Sequence, residues 1–301
     1  MIEVVDGGRW TTIQDRGRPG LEGFGVPSGG AADWFAAAVA NRIVGNQLDA
    51  ALLECTAAGP TLRFSRDAVI ALTGGRAADS TNWQPLEVAR GSSIAVGTIT
   101  PGLRTYIAIR GGIDVPVVLG SRSFCQRGTF GGGFGRPLAS GHRLEVGQMF
   151  EREPVSAPWP QTHRPPLGGP WEVRVMAGPQ DDAFVPGALE RLSATACLVT
   201  PAIDRMGLRL ATPGLRLQPG EVLTVPMTAG GIQVTPSGGL IVLHVDHQTT
   251  GGYPVIATVI SADLPLLAQA RPGDTVRFLV VDSTDAARAW RRVSGWLDLD
   301  R

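Results

Sequence analysis

Short apolar runs separated by glycine- and proline-rich turns are the feature that most limits what this chain can fold into. The 301 residues include 40 glycines and 23 prolines, and turn-forming sequences such as those at 237–239 and 272–274 bound the runs. Six runs have the length and composition of buried strands: 67–72, 105–109, 171–176, 240–245, 255–260 and 275–281. Many short strands with frequent turns predict a mainly β fold of barrels or sandwiches.

Three segments predict short helices between the strands. The first covers 33–44, with its opening Asp as the N-terminal cap. A second is expected over 180–185, where a following Pro-Gly pair stops it. The third covers 285–297, with Ser283 or Thr284 as its cap and an apolar stripe along one face.

A proline-rich segment divides the chain into two halves. Residues 154–170 contain six prolines, and such sequences resist regular structure and act as spacers. The halves are weakly alike, since an Asp-Arg pair followed by glycine occurs at both 15–17 and 204–207. We therefore expect a duplicated barrel-like unit, with one domain over 1–153, a linker over 154–170 and a second domain over 171–301.

Every basic residue of the chain is arginine. The 27 basic residues balance 27 acidic ones, so the global charge does not favour nucleic acid or an anionic membrane as a partner. The lack of lysine excludes Schiff-base chemistry, a Walker-type phosphate loop and a biotinyl-lysine on this chain. We expect neither covalently bound biotin nor a nucleic-acid partner here.

Cysteine and histidine spacing indicates neither a disulfide framework nor a metal site. Cys55, Cys125 and Cys197 are far apart and form no Cys-x-x-Cys pair, which predicts a reducing compartment. The four histidines lack metal-ligand spacing apart from one His-x-x-His. The first residues do not resemble a signal peptide, and no apolar stretch reaches the length of a membrane span. We expect a cytoplasmic protein with no membrane partner.

The polar sequence at 245–254 is the strongest candidate for a functional loop. It lies between two predicted buried strands, where a scaffold commonly carries function. An ordinary turn with capping hydroxyls is the alternative, but it does not need Asp, His, Gln and two Thr together. His247 is its candidate for proton transfer. Gln233, which lies among apolar strand residues, needs hydrogen-bond partners or a cleft.

A second polar cluster at 11–20 follows the first predicted strand. Gln14, Asp15 and Arg18 lie within five positions, and arginine can bind a carboxylate or a phosphate with two hydrogen bonds. The cluster could therefore hold an anionic substrate, or an Asp15–Arg ion pair could pin a turn. The start of the first predicted helix also offers backbone N–H groups to an anion. Asn41 of that helix could face a site.

Nine of these stretches together carry a resemblance to a known family. The matching segments are 11–18, 25–27, 53–62, 71–74, 111–113, 119–123, 204–207, 231–234 and 248–254. In this order they resemble the family that includes the C subunit of 5-oxoprolinase, the antagonist of a sporulation kinase inhibitor, and the second allophanate-hydrolase-type subunit of urea carboxylases. Members are often described as biotin-dependent carboxyltransferases. The resemblance implies two cyclophilin-like β-barrel domains.

The chain departs from the family pattern in three places. His247 stands where the family loop has Arg, and His142 stands where Asp is usual. The helix entry at 29–33 reads Gly-Gly-Ala-Ala-Asp where Ser-Gly-Ala-Met-Asp is usual. Replacing the loop Arg removes a fixed positive charge beside Asp246, which weakens a phosphate- or carboxylate-holding role at that position.

The resemblance implies a component of an ATP-dependent 5-oxoprolinase complex that hydrolyses 5-oxo-L-proline to L-glutamate. An unstrained lactam resists hydrolysis, so ATP with Mg²⁺ is expected to phosphorylate its carbonyl oxygen. The implied partners are a companion chain similar to the B subunit of 5-oxoprolinase and an A subunit of the lactam-utilisation type. The catalytic candidates are Asp15, Asp204, Asp246 and His247. The candidates for binding substrate or nucleotide are Gln14, Arg18, Asn41, Ser121, Arg122, Arg205, Gln233, Gln248, Thr249, Thr250 and Tyr253.

Two other functions are compatible with the same resemblance. The chain could be the carboxyltransferase half of a biotin-dependent urea or amide carboxylase, with biotin carried by another polypeptide. It could instead be a non-enzymatic regulator that binds a kinase-inhibitor-like companion through an exposed apolar surface. Substitution of Asp246 or Gln248 should abolish turnover in an enzyme and leave the effect of a regulator intact.

Overall fold

A computed structural model of the chain shows a mainly β protein, as the sequence predicts. It describes residues 1–77, 82–149, 152–155, 157–180, 183–212, 214–218, 220 and 222–298. The chain forms two compact units. The first comprises Met1–Arg18 and Gly29–Leu167, and the second comprises Pro19–Ser28 and Gly168–Arg301.

The first unit is built from ten strands within the described residues. They are β1 (Ile2–Asp6), β2 (Thr11–Gln14), β3 (Leu52–Thr56), β4 (Ala58–Phe64), β5 (Ala68–Gly74), β6 (Pro85–Val88), β7 (Ser93–Thr98), β8 (Arg104–Ile109), β9 (Ile113–Asp114) and β10 (Arg143–Val146). They form two five-stranded antiparallel sheets, ordered β7-β4-β1-β10-β9 and β2-β3-β8-β5-β6. Apolar side chains of both sheets, among them Val4, Phe64, Leu53 and Ile107, share one buried core.

Part of the predicted proline-rich linker packs on the first unit. The N–H of Val155 donates to the carbonyl of Ile43, and the N–H of Trp159 donates to the carbonyl of Trp83. The Trp159 side chain is buried. The structure therefore groups these residues with the first unit, whereas Gly168 begins the second.

Helix α1 (Trp34–Ile43) starts where the sequence predicts. The carboxylate of Asp33 caps it by accepting a hydrogen bond from the N–H of Ala36 at 2.8 Å. The N–H of Ala32 donates to Oε2 of Glu54 at 2.7 Å. The anion expected at this helix start is therefore a carboxylate of the chain itself.

Tyr106 connects this carboxylate to the helix cap. Its hydroxyl donates to Oε2 of Glu54 at 2.9 Å and accepts from the N–H of Asp33 at 2.7 Å. Nε of Arg104 lies 3.8 Å from Oε1 of Glu54, and both side chains are buried. Burial, and then the charge of Glu54, raise the pKa of Tyr106 well above its ordinary value. A neutral phenol is thus built into the core of the first unit.

The second unit contains a closed barrel. Its strands are β11 (Trp171–Ala177), β12 (Ala196–Ile203), β13 (Gly207–Ala211), β14 (Val225–Pro226), β15 (Gly231–Val234), β16 (Leu240–Leu243), β17 (Thr250–Gly251), β18 (Val255–Val259) and β19 (Thr275–Val280). The barrel order is β11-β18-β15-β16-β13-β12-β19, and β14 pairs with β17 outside it. Buried side chains such as Trp171, Leu208, Ile232, Val242 and Phe278 fill its interior. The barrel is therefore a packed core and not a channel.

Three helices accompany the barrel: α2 (Ala188–Ala194), α3 (Leu264–Gln269) and α4 (Ser283–Trp296). The predicted helix at 180–185 is wrong in its described part, because Phe184 forms a β-bridge with Leu217; residues 181 and 182 lie outside the described part of the chain. The cap of α4 is Asp282, whose side chain accepts from the N–H of Asp285, and not Ser283 or Thr284. No helix within the described ranges is long and apolar enough to cross a bilayer.

All six predicted strands are confirmed. They correspond to β5, β8, β11, β16, β18 and β19, with ends that differ by a few residues. The strongest prediction concerned continuous Val- and Ile-rich runs, because such runs are buried on both faces or line a core.

The buried phenol gives a direct test of the first unit. In a Tyr253→Phe variant, Tyr106 is the only tyrosine left of two. We expect no tyrosinate absorbance near pH 10, where an exposed tyrosine is about half ionised. Because the unfolded chain ionises there and the folded chain does not, the contribution of Tyr106 to the free energy of unfolding is present below about pH 10 and is lost as the pH rises towards the folded pKa.

An ultraviolet absorbance titration with circular dichroism recorded in parallel makes this measurement. Tyrosinate absorbance that develops reversibly near pH 10, while the dichroism stays that of the folded variant, would contradict the burial of Tyr106.

Candidate functional site

The second unit carries a cavity of about 660 Å³ on the outer wall of its barrel. Along β13, Leu208 and Leu210 point into the packed interior, so the alternate residue Arg209 points outward. Arg209 pairs with Ile241 of β16, and Ile241 pairs with Gln233 of β15. These three side chains therefore form one outward-facing row across neighbouring strands, and all three line the cavity.

Four of the residues predicted from the sequence line this cavity: Asp204, Gln233, Gln248 and Tyr253. Sequence reasoning missed Arg209, which is exposed and supplies a positive charge to the lining. The signal that could have found it is the alternation in β13, where a polar residue stands between two buried leucines.

Two glutamine amides are linked in series at the cavity wall. Nε2 of the buried Gln233 donates to the carbonyl of Tyr253 at 3.3 Å and to Sδ of Met227 at 3.4 Å. Oε1 of Gln233 accepts from Nε2 of Gln248 at 3.2 Å. Both ends of the Gln233 amide are thus engaged, which satisfies a polar group buried in an apolar wall.

Asp204 forms the turn between β12 and β13. Its Oδ1 accepts from the N–H groups of Met206 at 2.7 Å and Gly207 at 3.2 Å. The side chain is exposed at the cavity rim. Its second oxygen can therefore meet a ligand or a water molecule.

Arg205 and Asp246 form a buried ion pair behind the cavity. Nε of Arg205 lies 2.8 Å from Oδ2 of Asp246 and its Nη2 lies 3.0 Å from Oδ1, with both side chains almost fully buried. The N–H of Asp246 also donates to the carbonyl of Arg205 at 2.8 Å. This pair ties the turn after β12 to the loop after β16, and neither residue lines the cavity. Their catalytic and anion-binding roles stay predictions.

The remaining predicted residues of the loop shape it from within. Nδ1 of the buried His247 lies 2.6 Å from the carbonyl oxygen of Gln248. The carbonyl of Thr249 accepts from the N–H of Met227 at 2.9 Å, and Thr250 pairs with Pro226 between β17 and β14. None of the three predicted residues lines the cavity, so the structure places them in the support of Gln248.

Glu22 is a further carboxylate of the second unit that the sequence analysis did not single out. It accepts a hydrogen bond from the hydroxyl of Ser28 and another, at 2.8 Å, from the N–H of Gly20. The Ser28 hydrogen bond is the main cause of a lowered pKa at Glu22, and the charge of His247 makes a smaller contribution. The only signal in the sequence was the turn-rich context of this segment.

In the first unit, Asp15 is the centre of a hydrogen-bonded turn. Its carboxylate accepts from the hydroxyls of Ser121 at 2.6 Å and Ser123 at 2.5 Å. It also accepts from the N–H groups of Arg122 at 2.6 Å and Gly17 at 2.8 Å. Asp15 therefore binds hydroxyls and backbone, and these contacts take the place of the Asp15–Arg pair considered above. Asp15 and Arg122 line a separate polar cavity of about 490 Å³.

Gln14 and Arg18 hold the same segment of the first unit. Nε2 of Gln14 donates to the carbonyl of Phe124 at 3.2 Å. Nη2 of Arg18 donates to the carbonyl of Ser123 at 2.6 Å, and its guanidinium lies 5.1 Å from the ring centre of Phe130. Both side chains are buried, so the structure brings them together around residues 121–124.

Asn41 belongs to a different network of the first unit. Its Nδ2 donates to the carbonyls of Leu48 at 3.3 Å and Ala50 at 2.8 Å, and its Oδ1 accepts from Asn46 at 3.0 Å. Asn46 in turn accepts from the N–H of Gly111. These contacts fasten the loop that follows α1.

The described residues contain no cluster of three or more His, Cys, Asp or Glu side chains arranged to hold a metal ion. The three cysteines are buried and unbridged. Burial raises the pKa of the Cys55 and Cys197 thiols, which disfavours the nucleophilic thiolate form.

Loss of one partner of the Arg205–Asp246 pair should be costly for stability. We expect Asp246→Ala to lower the free energy of unfolding by about 3–5 kcal/mol, because it leaves a guanidinium buried without its carboxylate. The double variant Arg205→Met, Asp246→Leu should recover most of this loss. Asp285→Ala, which removes an exposed ion pair with Arg288, is the control and should cost less than about 1 kcal/mol.

Urea denaturation monitored by circular dichroism makes the comparison. An Asp246→Ala loss no larger than that of the exposed control would show that the pair is not a structural anchor.

Comparisons with known proteins agree with this architecture. The family described as carboxyltransferase domain, subdomain A and B, matches residues 24–280. The C subunit of 5-oxoprolinase from Escherichia coli (strain K12) is 35% identical over 296 residues, which are 96% of this chain and 94% of that protein. The urea amidolyase of Lachancea kluyveri is also 35% identical, over 93% of this chain but 17% of its own length.

A solved structure extends the comparison to three dimensions. The Kluyveromyces lactis urea carboxylase superposes with a TM-score of 0.92 at 32% sequence identity, over 100% of this chain and 29% of that chain. The chain thus spans less than a third of the length of the carboxylase and about a sixth of the amidolyase. The resemblance carried by the sequence motifs is confirmed, and the chain belongs to the carboxyltransferase-domain family of subdomains A and B.

Proposed function

We propose that this chain is one component of an ATP-dependent 5-oxoprolinase complex that opens 5-oxo-L-proline to L-glutamate. The observation that carries the proposal is the outer-wall cavity, in which Arg209 and the Gln233–Gln248 amides occupy one lining. 5-Oxoproline has a carboxylate and a ring amide within one small molecule, so it needs a cation and amide-binding groups close together. Urea has the amide character and lacks the carboxylate.

The spacing of the row supports such a ligand. Neighbouring strands lie about 4.8 Å apart, so the Cα atoms of Arg209 and Gln233 are about 10 Å apart across β16. The side chain of Ile241 lies between them in the row and gives an apolar floor for ring methylenes. A five-membered ring fits between a guanidinium on one side and an amide on the other.

The extent of the two sequence matches supports the same choice. The E. coli 5-oxoprolinase protein is matched over 94% of its length, whereas the yeast amidolyase is matched over 17%. A chain of this kind is therefore more similar to a separate polypeptide than to a fused enzyme. Because that E. coli relative is named as one of several lettered subunits, its name also supports a complex with further chains.

We assign the nucleotide to the companion chains. ATP with Mg²⁺ would supply the phosphoryl group that activates the lactam carbonyl. The described residues of this chain provide neither a three-ligand metal cluster nor a lysine-containing phosphate loop, so a Mg²⁺–ATP site does not fit them. The proposed carriers of that site are the companion similar to the B subunit of 5-oxoprolinase and the A subunit of the lactam-utilisation type.

The role of this chain is then to bind and orient the lactam. Arg209 would hold the carboxylate, and Gln248 would contact the ring amide. Of the four catalytic candidates, Asp204 alone lines the outer-wall cavity, so we assign it the acceptance of a proton from the attacking water. Arg205 and Asp246 would position the two loops that carry Asp204 and Gln248.

A carboxyltransferase acting on urea or another amide is the second candidate. The superposition on the K. lactis urea carboxylase favours it. Since the chain has no lysine, another polypeptide would have to carry the biotin. In that reaction the amide groups of the cavity would be needed and Arg209 would be dispensable, because urea has no carboxylate.

Phosphate release from ATP, measured with and without 5-oxoproline, tests the proposal. The sample is this chain purified together with its companion chains. Release that depends on 5-oxoproline and yields glutamate is the expected result. No stimulation by 5-oxoproline, together with carboxylation of urea by a biotinylated carrier, would replace the proposal by the second candidate.

Arg209→Gln should raise the KM for 5-oxoproline and leave kcat nearly unchanged, because the interaction with the remote carboxylate is the same in substrate and transition state. Loss of a charged hydrogen bond of about 1.5–3 kcal/mol corresponds to a KM increase of roughly 10- to 100-fold. Arg277→Gln is the matched control, since Arg277 is also an exposed residue of a barrel strand and does not line the cavity. Equal KM values for the two variants would remove Arg209 from the site.

A further inference from the structure

We infer that the outer-wall cavity selects ligands with an N–H group in the ring, and that Oε1 of Gln248 is the atom that accepts from it. The inference rests on the proposed function, because it places a small cyclic amide in this cavity. It goes further by naming the substrate class: unsubstituted lactams are accepted, whereas lactones and N-substituted lactams are rejected.

The orientation of the first amide is set by the backbone. The carbonyl oxygen of Tyr253 can only accept, and it lies 3.3 Å from Nε2 of Gln233. Sδ of Met227, another acceptor, lies 3.4 Å from the same nitrogen. A reversed Gln233 amide would place its oxygen against both acceptors, which is unfavourable for a side chain buried to 1% exposure. Oε1 of Gln233 therefore points towards Gln248.

The second amide follows from the first. Oε1 of Gln233 accepts from Nε2 of Gln248 at 3.2 Å, so the Gln248 amide must turn its own Oε1 away from Gln233. No residue in the described part of the chain donates to that oxygen, and Gln248 is half-buried in the cavity wall. The polarity of one backbone carbonyl is thus passed through two amides to the cavity, where it presents an acceptor. An acceptor in this position favours a ligand N–H and disfavours a ring oxygen.

Gly251 leaves the room that this amide pair needs. A Cβ atom at Gly251 would lie 2.7 Å from Nε2 of Gln233 and 3.2 Å from Cγ of Met227. A Cβ atom at the neighbouring Gly252 would meet only Oγ1 of Thr224, at 3.4 Å. Both glycines line the cavity, so Gly251→Ala and Gly252→Ala form a matched pair. The first displaces the Gln233 amide and the second does not.

The test compares two probes of nearly equal shape, 2-pyrrolidinone and γ-butyrolactone, which differ by a ring N–H in place of a ring oxygen. Binding to the full chain is measured by NMR titration. We expect the lactam to bind about tenfold more tightly or better, since an unpaired acceptor costs about 1–3 kcal/mol. The preference should disappear in Gln248→Leu and in Gly251→Ala, and it should remain in Gly252→Ala.

Several results would overturn the inference. They are equal or tighter binding of the lactone, no binding of the lactam, or a preference that survives in Gln248→Leu. A preference that survives in Gly251→Ala, with that variant folded by circular dichroism, would remove the amide series as its cause. The outcome is separate from the proposed function: a complex that does not turn over 5-oxoproline while the lactam preference holds would refute the reaction and leave the selectivity in place.

Discussion

The packed interior of the second barrel is the constraint on which the candidate site depends. Leu208, Ile232 and Val242 fill the inside of three neighbouring strands, so a ligand has no room there. The same pleat that buries these residues turns Arg209, Ile241 and Gln233 outward in one row. The position of the site is therefore a consequence of strand register. A slip of one residue would bury the arginine and expose the core.

The loops that complete the site are fixed by polar contacts behind it. The Arg205–Asp246 pair is buried and makes two hydrogen bonds, so it joins the turn of Asp204 to the loop of Gln248. Such a pair adds little stability compared with apolar residues of the same volume, but it strongly penalises any arrangement that separates its partners. Its contribution is to keep two cavity-lining loops in register. Substitution of Asp246 would therefore lower activity through the fold, whereas substitution of Arg209 or Gln248 would act at the cavity.

The sequence predicted the strands and the functional loop better than it predicted the roles of single residues. Runs rich in Val and Ile identify buried strands without knowledge of partners, whereas the helix at 180–185 failed because Phe184 pairs with Leu217, a distant residue. Similarly, Asp246 has the composition of a catalytic residue, and only the structure shows that Arg205 occupies it. Arg209 was missed because its significance comes from register with Ile241 and Gln233, which no local pattern contains.

A crystal structure of the chain with its companion chains and bound 5-oxoproline tests the central claim most directly. The account predicts electron density for the ligand on the outer wall of the second barrel, with its carboxylate on Arg209 and its ring N–H directed at Oε1 of Gln248. Density for 5-oxoproline in the first-unit cavity lined by Asp15 and Arg122, with the outer wall empty, would contradict it.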